Sequence, residues 1–151
     1  MGSPWEFSGD DIALWAQKGE AAAVLPELLR RLIAATTHPR ELSMRADGGV
    51  RLSGWDGVVD VSDDYLHLVP RGRSGWEISV RADVVTKVNE DFASRAKDPR
   101  PIDPKRSTYV AVTGRRFANK LDWAATAKAQ GPFAHVRFLD ADDLAQWLSL
   151  A

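Results

Sequence analysis

The sequence predicts an α/β fold in which a mixed central sheet is flanked by helices. Three observations predict it. The first third repeats its apolar residues at helical spacing, as in Leu25, Leu28, Leu29, Leu32 and Ile33. The middle changes to short β-rich runs separated by glycine, aspartate and Pro-Arg-Gly turns. The last third alternates strand-like and helix-like segments, so the order reads α, β-meander, α, β, α, β, α.

Taken in order, Asp10 or Asp11 can cap a short helix running through Gln17, which Gly19 stops. A second helix begins near Leu25-Pro26-Glu27, where proline suits the first turn and an acid suits the helix N-terminus. Thr36 to Gly49, with Pro39 and the Gly48-Gly49 pair, reads as a loop. Val50-Arg51-Leu52, Val58 to Val61, Tyr65 to Val69 and Trp76 to Val80 read as an antiparallel meander of three or four strands. Ala82 to Arg95 returns to helical spacing through Val84, Val85, Val88 and Phe92, and Lys97 to Lys105 carries three prolines as a loop. Thr108 to Thr113 is an almost continuous apolar run, as in a strand covered on both faces. A helix over Ala118 to Ala129, a strand over Ala134 to Leu139, and a closing helix capped by Asp140 complete the chain.

The 151 residues suit one domain over 1–151. Apolar residues are 44% and charged residues 27%, ordinary for a globular chain. A net charge of −1 gives no global basic field, so a nucleic-acid surface has to be local. The lack of cysteine excludes disulfides, thiolate zinc sites and a thiol nucleophile. No apolar run reaches the ~18 residues of a membrane span, and no signal peptide is visible, so the expectation is a soluble, cytoplasmic protein. The helix ending just after Trp147-Leu148 reads as a domain excised from a longer protein.

Several motifs exclude themselves. Gly72-Arg73-Ser74-Gly75 lacks the G-x-S-x-G spacing of a nucleophile elbow, and no phosphate-cradling glycine loop ends in Lys-Ser/Thr. His38, His67 and His135 are isolated, which argues against a zinc site. The six tryptophans are spread evenly and read as core.

One constellation carries chemistry. Asp56 lies in Gly54-Trp55-Asp56-Gly57, a turn between meander strands, and Glu77 lies inside a later strand. Two acids on neighbouring strands can converge on one edge of the sheet, and a magnesium ion usually takes one or two protein acids beside water and phosphate oxygens. The Ile78 side chain points to the opposite face, leaving its carbonyl as a further ligand. Lys87, early in the next helix, can orient a water or stabilise phosphoryl charge. Arg71, Arg73, Arg115 and Arg116 fall at turns or strand ends, where they can bind DNA phosphates.

With these residues in view, the chain resembles the PD-(D/E)XK, or restriction-endonuclease-like, nucleases over most of its length. The resemblance runs from Asp11-Ile12, Trp15-Ala16 and Leu25 to Ile33 through to Asp143-Leu144-Ala145-Gln146-Trp147-Leu148. Gly54 to Gly57, Pro70 to Ser74 leading into Trp76-Glu77, Lys87 to Arg95, and Val112-Thr113 followed by Arg115-Arg116-Phe117 make it most similar to N-terminal effector nucleases of prokaryotic anti-phage defence NTPases.

The resemblance implies an αβββαβ core, with Asp56 and Glu77 as the metal-binding acids. It implies Mg2+ as cofactor, with Mn2+ as substitute. Ser79 stands where the simple signature has lysine, and Lys87 is then the migrated lysine, with Lys120 as its competitor. Glu27 would assist the metal. The expected function is a DNA endonuclease acting on double strands, a homo-oligomer when active, with NTPase or sensor domains following.

Other readings stay open at this point. Asp56 suits a Trp-Asp-Gly turn without chemistry, Lys87 can pair with Asp83 one helical turn earlier, and Glu27 suits a first helical turn. A catalytically silent nucleic-acid-binding or oligomerisation module on the same fold, or a protein-interaction domain, are the alternatives to a nuclease.

Overall fold

The computed structural model describes residues 7–44 and 54–151. Helix α1 spans Gly9–Trp15, α2 Ala21–Thr36, α3 Val84–Lys97, α4 Lys120–Gln130 and α5 Ala141–Leu150. Strands are β1 Pro39–Met44, β2 Gly57–Val61, β3 Gly72–Ser79, β4 Thr108–Thr113 and β5 His135–Leu139. The five strands form one mixed sheet in the order β1-β2-β3-β4-β5. β1, β2 and β3 are antiparallel neighbours, whereas β3-β4 and β4-β5 are parallel through crossovers containing α3 and α4. The predicted α/β class with helices flanking a mixed sheet is what the chain adopts.

Strand alternation divides the interior in two. Val59, Val61, Trp76, Val110 and Val112 pack with Ile12, Leu25, Leu29 and Leu144 of α1, α2 and α5. On the other face Val58, Tyr109 and Ala111 pack with Val88 and Phe92 of α3 and Ala124 and Ala127 of α4. No helix among the described residues is long and apolar enough to cross a membrane.

Where expectation and structure part, the causes are local. Ser8, rather than Asp10 or Asp11, caps α1, while Asp11 returns the bond to the Ser8 N–H in a capping box. Helix α2 starts at Ala21, because alanines extend the helix a turn upstream; Pro26 then sits inside it and leaves the Ala22 carbonyl without its usual donor. The expected loop over Thr36 to Gly49 contains β1, a polar edge strand that opens on proline. Tyr65 to Val69 is a tight turn closed by the Tyr65 N–H to the Val69 carbonyl, with Leu66 at φ 52°. Its Leu68 and Val69 are buried, so its apolar character reflects a packed turn rather than a strand. The meander is therefore β1-β2-β3, and the Val50-Arg51-Leu52 expectation lies outside the described residues. The Thr108 to Thr113 strand and the Asp140 cap are found as expected, and Asp140 also makes a capping box with Asp143.

Candidate active site

The turn before β2 is built around three steric facts. Gly54 has φ 99°, and a Cβ there would sit 2.3 Å from the Arg95 guanidinium, so only glycine allows this approach. Trp55 is fully buried and donates its indole N–H to the Pro99 carbonyl at 3.0 Å. Gly75 on β3 leaves room for that ring, since a Cβ would meet it at 2.5 Å. Anchored in this way, Asp56 bonds β3 twice. Its N–H donates to the Trp76 carbonyl at 3.1 Å, and its Oδ2 accepts from the Ile78 N–H at 2.8 Å. The two bonds straddle Glu77.

Trp76 and Ile78 turn toward the α2 side, so Glu77 faces α3, where it is 7% exposed. Helix α3 presents Lys87, Asp91 and Arg95 at four-residue spacing, a charged stripe beside the apolar stripe of Val84, Val88 and Phe92. Lys87 Nζ donates to Asp91 Oδ1 at 2.8 Å, and Arg95 Nε lies 3.3 Å from Glu77 Oε1. The Glu77 carboxyl is in hydrogen-bond contact with that of Asp56. Burial, then the Asp56 and Asp91 charges, push the Glu77 pKa up to about 10; the Arg95 guanidinium pulls the other way and is outweighed. Burial likewise raises Asp91 despite its bond to Lys87, and the Asp91 bond raises Lys87. Glu77 therefore holds its proton at neutral pH. Asp56, Glu77 and Asp91 set three acids against two cations, and the proton offsets the imbalance.

Carboxylates and a main-chain carbonyl are oxygen donors of the kind a hard divalent cation takes. The N–H and carbonyl of one strand residue point to the same side, so the Ile78 carbonyl faces Asp56 as its N–H does. A cavity of about 10 Å³, close to the size of one water molecule, is lined by Glu77, Ser79, Lys87 and Asp91 with Val84 and Thr113. Among the described residues no group of three or more His, Asp or Glu side chains is placed so that it could hold a metal ion. Two acids and a carbonyl match an ion that keeps much of its shell as water and phosphate oxygen, such as magnesium, and the residues present fit that group.

Of the residues singled out in the sequence, Asp56, Glu77, Ile78 and Lys87 are brought together. The others have different partners. Glu27 binds Arg30 and Arg31, which hold its pKa near 2. Lys120 lies across α4 and α5, bonding Asp140 at 2.8 Å and Asp143 at 2.7 Å. Arg73 bonds Glu41 and the Pro101 carbonyl, Arg115 bonds the Val80 carbonyl, and Arg116 pairs with Asp10 and Asp142. Asp83 pairs with Arg81 rather than with Lys87. Asp91 and Arg95 were missed; their signal was the repeat of opposite charges at four-residue steps from Lys87.

A scan against protein-family models, and searches of the curated proteins and of the solved structures, find no match to this chain.

Proposed function

We propose that this domain is a metal-dependent endonuclease that hydrolyses phosphodiester bonds in DNA. The observation that carries the reading is the buried Glu77 carboxyl, on the strand that Asp56 bonds on both sides of it and lining one small cavity with Lys87 and Asp91. The order α2-β1-β2-β3-α3-β4 is also that of the restriction-endonuclease-like αβββαβ core, which supports the reading at the level of topology.

Asp56, Glu77 and the Ile78 carbonyl would hold the magnesium ion. Once bound, that ion supplies a more acidic water and neutralises charge on the phosphate. The remaining work falls to the chain. Asp56 fixes the β3 backbone on both sides of Glu77, so the two acids keep one geometry. To serve as a ligand, Glu77 would have to give up the proton that burial favours. Lys87, retained at the rim by Asp91, offers its ammonium to a phosphate oxygen or to the attacking water, replacing the lysine that Ser79 displaces. Hydrolysis joins the water oxygen to phosphorus and breaks one P–O ester bond, and the departing oxygen takes a proton. Cutting both strands requires two such sites, so assembly of protomers is the natural switch. The defence setting and cytoplasmic location belong to this same reading.

A catalytically silent nucleic-acid-binding or oligomerisation module is the second reading, favoured by Ser79 at the signature lysine position. Supercoiled plasmid incubated with micromolar protein and Mg2+, Mn2+ or EDTA separates the two. The nuclease nicks or linearises plasmid only with metal, and Asp56→Asn and Glu77→Gln reduce this at least 100-fold. If a fused-dimer form also leaves the plasmid intact, the silent module stands.

A further inference from the structure

A second charged surface lies at the other end of the parallel strands, where β3, β4 and β5 begin. It is a cleft of about 690 Å³ lined by Arg71, Lys105, Arg106, Lys128, His135 and Arg137, with Asp64 the one acid in its wall. Asp64 is occupied, accepting the Arg71 main-chain N–H. Elsewhere in the fold most arginines are matched: Arg30, Arg31, Arg40, Arg73, Arg81, Arg95, Arg100 and Arg116 each stand within ion-pair distance of an acid. In the cleft the side chains of Arg71, Lys105, Lys128 and Arg137 form no ion pair with any described residue, and Arg106 reaches Asp103 only at 4.0 Å. Concentrating unmatched cations in one concavity on a chain of net charge −1 costs mutual repulsion that an anion would relieve.

Arg137 makes the case sharper. It is a strand residue on β5, paired in register with Val110, and its Nη1 is shielded from solvent without a hydrogen-bond partner among the described residues. Burial lowers its pKa, with only Asp64 acting in the opposite direction. A guanidinium held half-desolvated in a cationic wall has the character of an anion site awaiting its ligand.

We infer that this cleft binds the phosphate backbone of a nucleic acid, apart from the carboxylate site. The choice of nucleic acid as the polyanion rests on the proposed function, whereas the existence of the anion site does not. Register places the two apart: Glu77 is level with Ala111, while the cleft begins level with Thr108, about 10 Å back along β4. Several cations along an open cleft suit the repeated charges of a strand better than a single ion. The cleft thus positions DNA and contributes affinity, and the carboxylates act on it elsewhere.

The test is fluorescence anisotropy of a labelled 20-base-pair duplex in EDTA, from low to moderate salt, so that no cleavage is involved. Lys105→Glu/Lys128→Glu, at two side chains without described partners, is expected to weaken binding more than tenfold. It is also expected to flatten the slope of log K against log salt by about 2, near 0.9 for each phosphate no longer neutralised. Lys18→Glu, a charge reversal at an exposed residue between α1 and α2 outside the cleft, should leave that slope unchanged, and an unaltered circular dichroism melt excludes misfolding. A second variant, Arg137→Met, should act in the same direction. Inorganic phosphate as competitor separates the ligands: displacement of the duplex at low millimolar concentration would make a small phosphate the occupant and overturn the nucleic-acid assignment. Equal binding by wild type and the double variant, or no binding at low salt, overturns the inference. Because the assay lacks metal, loss of the nuclease reading would appear only in plasmid cleavage and would leave this result intact.

Discussion

Lys87 and Asp91 face each other across one turn of α3, with Nζ 2.8 Å from Oδ1, so the lysine nearest the carboxylate pair is tethered by an acid that shares its helix. Lys87 lines a cavity with Glu77, whereas Lys120 bridges Asp140 and Asp143. Lys87→Met should lower metal-dependent cleavage about 10²-fold, at a modest cost in melting temperature because Asp91 loses its cation. Lys120→Met should cost more stability and spare cleavage, since it leaves Asp140 and Asp143 facing each other without their shared cation. Its expected cost is about 1–3 kcal/mol of stability with cleavage within twofold of wild type. Cleavage assays and thermal melts on the two variants check both halves.

Glu77 gives stability a specific pH dependence. Its pKa rises from an ordinary 4.5 to about 10 on folding, so between those values the folded state binds the extra proton. Stability from this group is complete below about 4.5 and is lost as pH rises toward 10, at up to about 1.4 kcal/mol per pH unit. Thermal melts of the metal-free protein should fall by a few degrees per pH unit across the neutral and alkaline range. Glu77→Gln, which keeps the neutral shape, should flatten that fall and be the more stable protein at pH 9.

Gly54→Ala should destabilise by about 1–3 kcal/mol, because an alanine at φ 99° is strained and its Cβ collides with Arg95. Displacing Arg95 removes the cation that lowers the Glu77 pKa, so the alkaline loss of stability should continue to higher pH. Urea unfolding from pH 7 to above pH 10 measures both effects.

The fold was legible where pattern and burial agree. Thr108 to Thr113 is apolar throughout because both faces of β4 are covered, and Asp140 announces α5 because a cap has few substitutes. It was illegible where an element's character comes from its neighbours. β1 is polar because it lies at the sheet edge, and Leu68 and Val69 resemble a strand because a turn is buried. In the site, an acid inside a strand and another in a Trp-Asp-Gly turn could be paired from spacing alone. Asp91 and Arg95 were hidden because a charged stripe on a helix ordinarily faces water; here β3 places Glu77 beneath it.

If Asp56 and Glu77 form a site for a divalent cation, that cation has to displace the Glu77 proton, and isothermal titration with Mn2+ reads this exchange. Run at pH 7.5 in two buffers of different ionisation enthalpy, it reads the protons released per ion bound. The expected result is binding with release of close to one proton, and loss of both binding and release in Glu77→Gln. Binding without proton release, equal binding by the variant, or no binding would contradict it.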